Sequence, residues 1–477
     1  MEEKKTQGQI LNEKLTYSYK NAWEKISEDE KNKAFEFCEA YKIFLNKAKT
    51  EREFTSEAVK LAEEKGFVSI GSIPSTKKIK PGMKIYQVNR NKSVALCVIG
   101  KRPVAEGVNI VGAHIDSPRI DLKQNPLYED TGMVLLKTHY YGGIKKYQWV
   151  TIPLAIHGVV VKKGGEIVNV IIGEDETDPV FTITDLLPHL AADQMQKKMS
   201  EAITGEGLNV LLGSIPYSDE KVKEKVKLNL LKILNDKYGI IEEDFISAEL
   251  EVVPAFKAKD VGIDRSLVGA YGQDDRVCSY TALRAILDTD SVDRAAVCLL
   301  TDKEEIGSVG NTGAQSSFFQ NFIASLCAVT SDNYNDIIFR NCLVNSKMLS
   351  ADVNAGVDPN YENVHDKRNA SFMGKGLVLQ KYTGSRGKAG ASDANAEYIG
   401  ALRRLFNENN IVWQTGEIGK VDQGGGGTIA QFLANLGIEV IDCGIPLLSM
   451  HAPFEISSKI DIYTMNKAYK VFYKDIK

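Results

Sequence analysis

From residue 264 onward, short apolar runs alternate with longer segments of helical spacing, and few features narrow a fold as far as this. Helices are expected over 277–287, 318–327, 397–407, 428–436 and 461–473. Strands are expected over 295–300, 349–352, 411–415 and 438–443. Such alternation implies a mixed, mostly parallel sheet with helices on both faces. The run Ala295-Ala-Val-Cys-Leu-Leu300 has no polar residue. That suits a strand buried on both sides.

The chain ahead of this region has a different texture. Residues 8–65 read as helical, with apolar residues at three- and four-residue spacing over 15–23 and 34–48 and a capped helix from Thr55. Strands follow at 84–88, 93–100 and 108–114. From about 118 to 260, strand-like segments dominate (133–139, 149–161, 166–172 and 248–253), with a hairpin turn at Lys162-Lys-Gly-Gly165 and one helix over 220–238. A chain of 477 residues exceeds one compact core. The expected division is a discontinuous domain of 1–117 and 261–477, interrupted by a β-rich domain of 118–260.

Composition bounds the partners. Hydrophobic residues make up 43% and charged residues 26%, and the net charge is −4. This is the balance of a globular protein and offers nothing to nucleic acid. No apolar run is long enough to cross a membrane, and Met1-Glu-Glu-Lys-Lys-Thr is not an apolar leader. The seven cysteines are dispersed, without a CxxC pair. They are expected to be free thiols in a reducing cytoplasm, and a thiolate metal site is not expected.

Metal-competent side chains recur at or just past the expected strand ends: His114 with Asp116, Asp274 with Asp275, Glu304 with Glu305, Asp352, and His451. Chemistry in open α/β sheets collects at the carboxyl ends of strands. Adjacent carboxylates in such a crevice need a cation beside them. Taken singly, each residue has a plainer use: Asp274-Asp-Arg-Val also suits a cap for the 277–287 helix. Together, two imidazoles and at least three carboxylates suit a pair of divalent ions about 3.5–4 Å apart, with open positions for a shared water whose pKa falls toward ~7.

The segments Gly112-Ala-His-Ile-Asp-Ser-Pro-Arg119, Gln273-Asp-Asp-Arg276, Asp302-Lys-Glu-Glu-Ile-Gly-Ser308, Ser350-Ala-Asp-Val-Asn-Ala-Gly-Val-Asp-Pro-Asn-Tyr361 and Ser449-Met-His-Ala-Pro-Phe-Glu455 resemble the aspartyl aminopeptidase family, in order, from 114 to 451. The resemblance implies a zinc exopeptidase core with an inserted β-rich oligomerisation domain. It also implies two Zn2+ per subunit, with Co2+ or Mn2+ as substitutes. Asp274 would bridge the ions, by the family pattern that favours it over Asp275. His114 and Asp352 would complete one site, and Glu305 and His451 the other. Glu304 would be the general base acting on a metal-bridged water, and Asp116 would orient His114. The same resemblance implies peptide substrates cut at the N-terminus, a tetrahedral dodecamer built from dimers, and His189, in Pro188-His-Leu190, reaching a neighbouring subunit's site.

Other features bear on the substrate. The run Asp422-Gln-Gly-Gly-Gly-Gly-Thr428 precedes a helix, and backbone N–H groups at Gly425 and Gly426 suit a substrate carbonyl or oxyanion. Lys381 lies where the family meets the substrate side chain. The stretch around it departs from the animal-type pattern, so acidic and neutral N-terminal residues both stay open. His139, His157 and His365 are expected to be structural. Two rival readings remain at this level: a related dizinc hydrolase (deacylase, carboxypeptidase or glutamyl-type aminopeptidase), and a non-catalytic shell or cargo protein of the same fold.

Overall fold

The strand Ala296–Thr301 organises the structure, a computed structural model that describes residues 5–73, 79–331 and 333–476. All six of its residues are buried. Ala296, Cys298 and Leu300 enter one apolar core, while Val297 and Leu299 enter another. That is the period-two consequence of a strand covered on both faces. Val297, Leu299 and Leu300 each contribute roughly 1.5–3 kcal/mol by full burial.

Around it lies a mixed sheet of nine strands among the described residues. At its centre, Ala296–Thr301, Asn109–His114, Lys347–Ser350 and Glu439–Gly444 run parallel, in that spatial order. Ser93–Val98 pairs antiparallel on one side and Leu377–Gln380 on the other. Helices Glu28–Lys47, Glu51–Glu64, Gln273–Leu287, Ala396–Glu408 and Lys459–Asp475 supply one core. Phe318–Thr330, Asp336–Val344 and Ala430–Ala434 supply the other. The alternation after residue 264 is therefore an α/β arrangement with helices on both faces, as expected.

Two further sheets follow. Six strands, all between Arg119 and Pro254, form an antiparallel sheet with its own core around Trp149. Five short strands (Lys259–Val261, Leu267–Ala270, Asn354–Ala355, Pro446–Leu448 and Glu455–Ser458) form a third sheet beside the carboxyl ends of the parallel strands.

Some boundaries differ from expectation. The helical spacing over 15–23 does not make a helix. The helix Gln7–Leu15 stops at Thr16, whose backbone is extended. Tyr17 and Tyr19 instead donate their hydroxyls to main-chain carbonyls of Trp413 and Thr415. Of the other apolar residues in 15–23, Leu15 is exposed, and Ala22 and Trp23 pack with Ala34 and Ile460. The strand Arg119–Asp130 escapes a period-two reading because its register shifts between Leu122 and Leu127. All seven cysteines are free and buried, as expected.

Candidate metal centre

The site stands where the parallel strands end. His114 is the last residue of Asn109–His114. Glu304 and Glu305 open a 3-10 turn three residues past Ala296–Thr301, entered through Lys303 in the left-handed region. Asp352 lies two residues past Lys347–Ser350. Asp274 opens the helix Gln273–Leu287, and its peptide bond to Asp275 is cis. His451 lies in the turn between Pro446–Leu448 and Glu455–Ser458. The chain must cross closely beneath Asp352. A Cβ on Gly444 would come within 1.9 Å of the Asp352 carbonyl oxygen, so only glycine fits.

Two donor triads result. His114, Asp274 and Asp352 form one, and Asp274, Glu305 and His451 the other, with the donor atoms of each triad within 4.8 Å of one another. Asp274 presents Oδ1 to His114 Nε2 at 3.3 Å and Oδ2 to His451 Nε2 at 3.2 Å. Glu305 Oε2 lies 3.5 Å from His451 Nε2. Donors bonded at about 2.0–2.1 Å to one tetrahedral ion sit about 3.3–3.4 Å apart. The spacing therefore fits zinc. Glu305 Oε1 is buried without a hydrogen-bond partner, which a cation would supply.

Asp116 braces the cluster from behind and is fully buried. Its Oδ1 accepts the Glu304 backbone N–H at 3.1 Å, and its Oδ2 accepts that of Glu305 at 3.2 Å. His114 Nδ1 lies 3.1 Å from the Asp116 main-chain carbonyl and 3.3 Å from its carboxylate. A carbonyl can only accept, so Nδ1 carries the proton and Nε2 is free to bind a metal. Glu455 does comparable work unseen in the sequence. Its buried carboxylate accepts the backbone N–H groups of His451 (2.8 Å), Gln273 (2.6 Å) and Asp274 (3.1 Å). In the sequence it is only the last residue of Ser449-Met-His-Ala-Pro-Phe-Glu455, with nothing to mark its role.

The electrostatics follow from burial. Glu305 and Asp352 are pushed well above the carboxylate range by burial, with neighbouring carboxylates adding to it. Burial also pushes Glu304 up to about 7, against the opposing pull of His114. For Asp274, burial works the same way, but the His114 and His451 imidazoles outweigh it and hold the carboxyl below its usual range. An acid-rich cluster of this kind is short of positive charge.

The donors open onto a cleft of about 410 Å³. Gly425, Gly426 and Gly427 border it, and Val353, Ile418, Phe432 and Met450 line it. The structure thus brings together His114, Asp274, Glu304, Glu305, Asp352 and His451. Asp275 is buried beside them but belongs to neither triad. His189 is exposed, and Lys381 lies 3.9 Å from the Asp393 carboxylate; neither lines the cleft.

Two imidazoles and four carboxyl groups gathered at the open end of a parallel sheet are the equipment of a metal-dependent hydrolase. The chain belongs to the aminopeptidase I zinc metalloprotease family (M18), whose family model matches residues 44–473. It is similar to a probable M18 family aminopeptidase 1 of Clostridium acetobutylicum, 55% identical over 96% of this chain and 98% of that one. Its fold is similar to the crystal structure of an M18 family aminopeptidase from Thermotoga maritima, with a TM-score of 0.92 and 47% identity over 96% of this chain and 100% of that one. The mApe1 dodecamer of S. cerevisiae shares the fold at 23% identity and a TM-score of 0.75, over 92% and 96% of the two chains. The chain is therefore a zinc aminopeptidase, an enzyme that removes N-terminal residues from peptides.

Proposed function

We propose that this zinc aminopeptidase holds two zinc ions per chain. Asp274 bridges them, His114 and Asp352 complete one site, and Glu305 and His451 complete the other. One observation carries the reading: a single carboxylate belongs to both triads and turns one oxygen toward each imidazole. When bound, such a pair polarises a carbonyl and lowers the pKa of a water to about 7. Glu304 lines the same cleft without belonging to either triad. That placement suits a base that takes the proton of the attacking water and returns it to the leaving amine. Asp116 fixes the His114 tautomer, and the N–H groups at Gly425 and Gly426 receive the substrate carbonyl.

The lining favours neutral or apolar N-terminal side chains over acidic ones. Val353, Ile418, Phe432 and Met450 offer apolar contact, and the described lining residues include no lysine or arginine. Residues 1–117 and 261–477 act as the catalytic domain and 118–260 as an inserted oligomerisation and lid domain. Leu186, Leu187 and Leu190 are exposed around His189, which suits contact with a second copy in a tetrahedral dodecamer. Within it, His189 reaches a neighbour's cleft. No helix of the described residues is long and apolar enough to cross a membrane. With seven free cysteines, this supports a cytoplasmic site of action.

Metal content tests the core of this reading. Zinc-saturated, desalted protein is expected to carry two zinc ions per chain by atomic emission. His451→Ala should retain about one and Asp274→Ala none. Wild-type protein with one zinc, or Asp274→Ala retaining two, would contradict the bridge.

A further inference from the structure

The antiparallel sheet of 119–254 meets the metal centre at the end of one of its strands. The strand Met133–Tyr141 ends there, and its last residue opens the turn Tyr141-Gly142-Gly143. The Tyr141 hydroxyl donates to Asp116 Oδ2 at 2.8 Å. Two residues on, the Gly143 carbonyl lies 2.7 Å from His451 Nδ1. Because that carbonyl can only accept, His451 Nδ1 bears the proton and Nε2 faces Asp274 and Glu305. Between them, Gly142 (φ +74°) passes over Glu305 so closely that a Cβ would stand 3.3 Å from both Glu305 Cβ and Oε2. The turn is held from behind. The Arg119 guanidinium stacks 3.9 Å from the centre of the Tyr141 ring and is itself fixed by Asp121 at 2.8 Å and Glu251 at 3.2 Å.

We infer that the Tyr141-Gly142-Gly143 turn is a positioning element for both imidazoles of the metal centre: it sets His451 directly, through the Gly143 carbonyl, and His114 indirectly, through the Tyr141 hydroxyl on Asp116. The inference rests on the two-zinc reading above. One turn of a separate sheet thus fixes which ring nitrogen His451 offers and braces the carboxylate of the residue that sets His114. Hydrogen-bond partners behind metal ligands are worth roughly 10- to 100-fold in metal affinity.

Tyr141→Phe removes one hydroxyl and keeps the stacked ring. Zinc affinity of the metal-depleted full chain is measured by competition with a chromophoric chelator, and kcat is measured with and without excess zinc. The expected result is an affinity loss of about 10- to 100-fold, with kcat restored by excess zinc. Gly142→Ala should lose affinity likewise, and it decides the matter if Tyr141→Phe does not fold. Affinity within about twofold of wild type, while His451→Ala binds weakly, overturns the inference. So does a loss of kcat that excess zinc leaves unrestored. If neither His114→Ala nor His451→Ala weakens zinc binding, the two-zinc reading itself has failed and this inference falls with it.

Discussion

Replacing Glu304 by Gln separates proton transfer from metal binding at this site. The substitution keeps shape and volume and removes only the ability to accept a proton. Glu304 Oε2 lies 3.9 Å from His114 Nε2, whereas the neighbouring donor pairs are spaced at 3.2–3.5 Å. It is thus set back from the edge expected of a shared tetrahedral ion, and neither triad includes it. Both triads remain whole in Glu304→Gln, and zinc content should stay at the wild-type value. A positioned general base is worth roughly 10²–10⁴-fold. At 1.36 kcal/mol per decade, that is about 2.7–5.4 kcal/mol of barrier. KM should change little, because the group is asked to act in the transition state rather than in binding. The assay is steady-state hydrolysis of an aminoacyl anilide, with zinc measured on the same preparation. Turnover within about threefold of wild type would remove Glu304 from the proton path. Zinc lost in step with turnover would make it a ligand instead.

Three further outcomes are expected. A substrate panel should show leucyl and methionyl anilides cut faster than aspartyl ones, with Lys381→Ala leaving this ranking unchanged; a selective loss on acidic substrates would return Lys381 to the specificity site. Gly444→Ala should destabilise the protein by at least the 1–3 kcal/mol typical of overpacking, about what a Cβ 1.9 Å from the Asp352 carbonyl oxygen demands, read from denaturant midpoints. His157 bonds Glu53 at 2.7 Å and Glu174 at 3.1 Å; burial opposes its charge, but these two carboxylates raise its pKa above the usual 6.5. Because the folded value exceeds the unfolded one, the stabilisation is complete below about 6.5 and fades as pH rises through the folded value. His157→Gln should therefore cost more stability near pH 6 than near pH 9, and an equal cost at both would refute the pairing.

The parts of this protein legible in its sequence are those where burial leaves a one-residue signature. The strand Ala296–Thr301 is apolar through Leu300 because both its faces are covered, and its end marks Glu304 and Glu305. Asn109–His114 works the same way for His114. Other elements follow longer-range rules. Arg119–Asp130 breaks its own alternation at a register shift, and Leu377–Gln380 is four residues whose place depends on an antiparallel neighbour. Asp274 and Asp275 differ by one position and by nothing in composition. Only the kinked start of Gln273–Leu287 turns one toward both imidazoles. Glu455 and Tyr141 act by gripping backbone or another carboxylate, and such work leaves no periodic trace.

The five donors stand at positions 114, 274, 305, 352 and 451 of a 477-residue chain. A ribosome must deliver nearly the whole polypeptide before the last of them arrives. On the two-zinc reading, a chain that stops short of residue 451 lacks a donor, so a partly made peptidase would be unable to trim its neighbours.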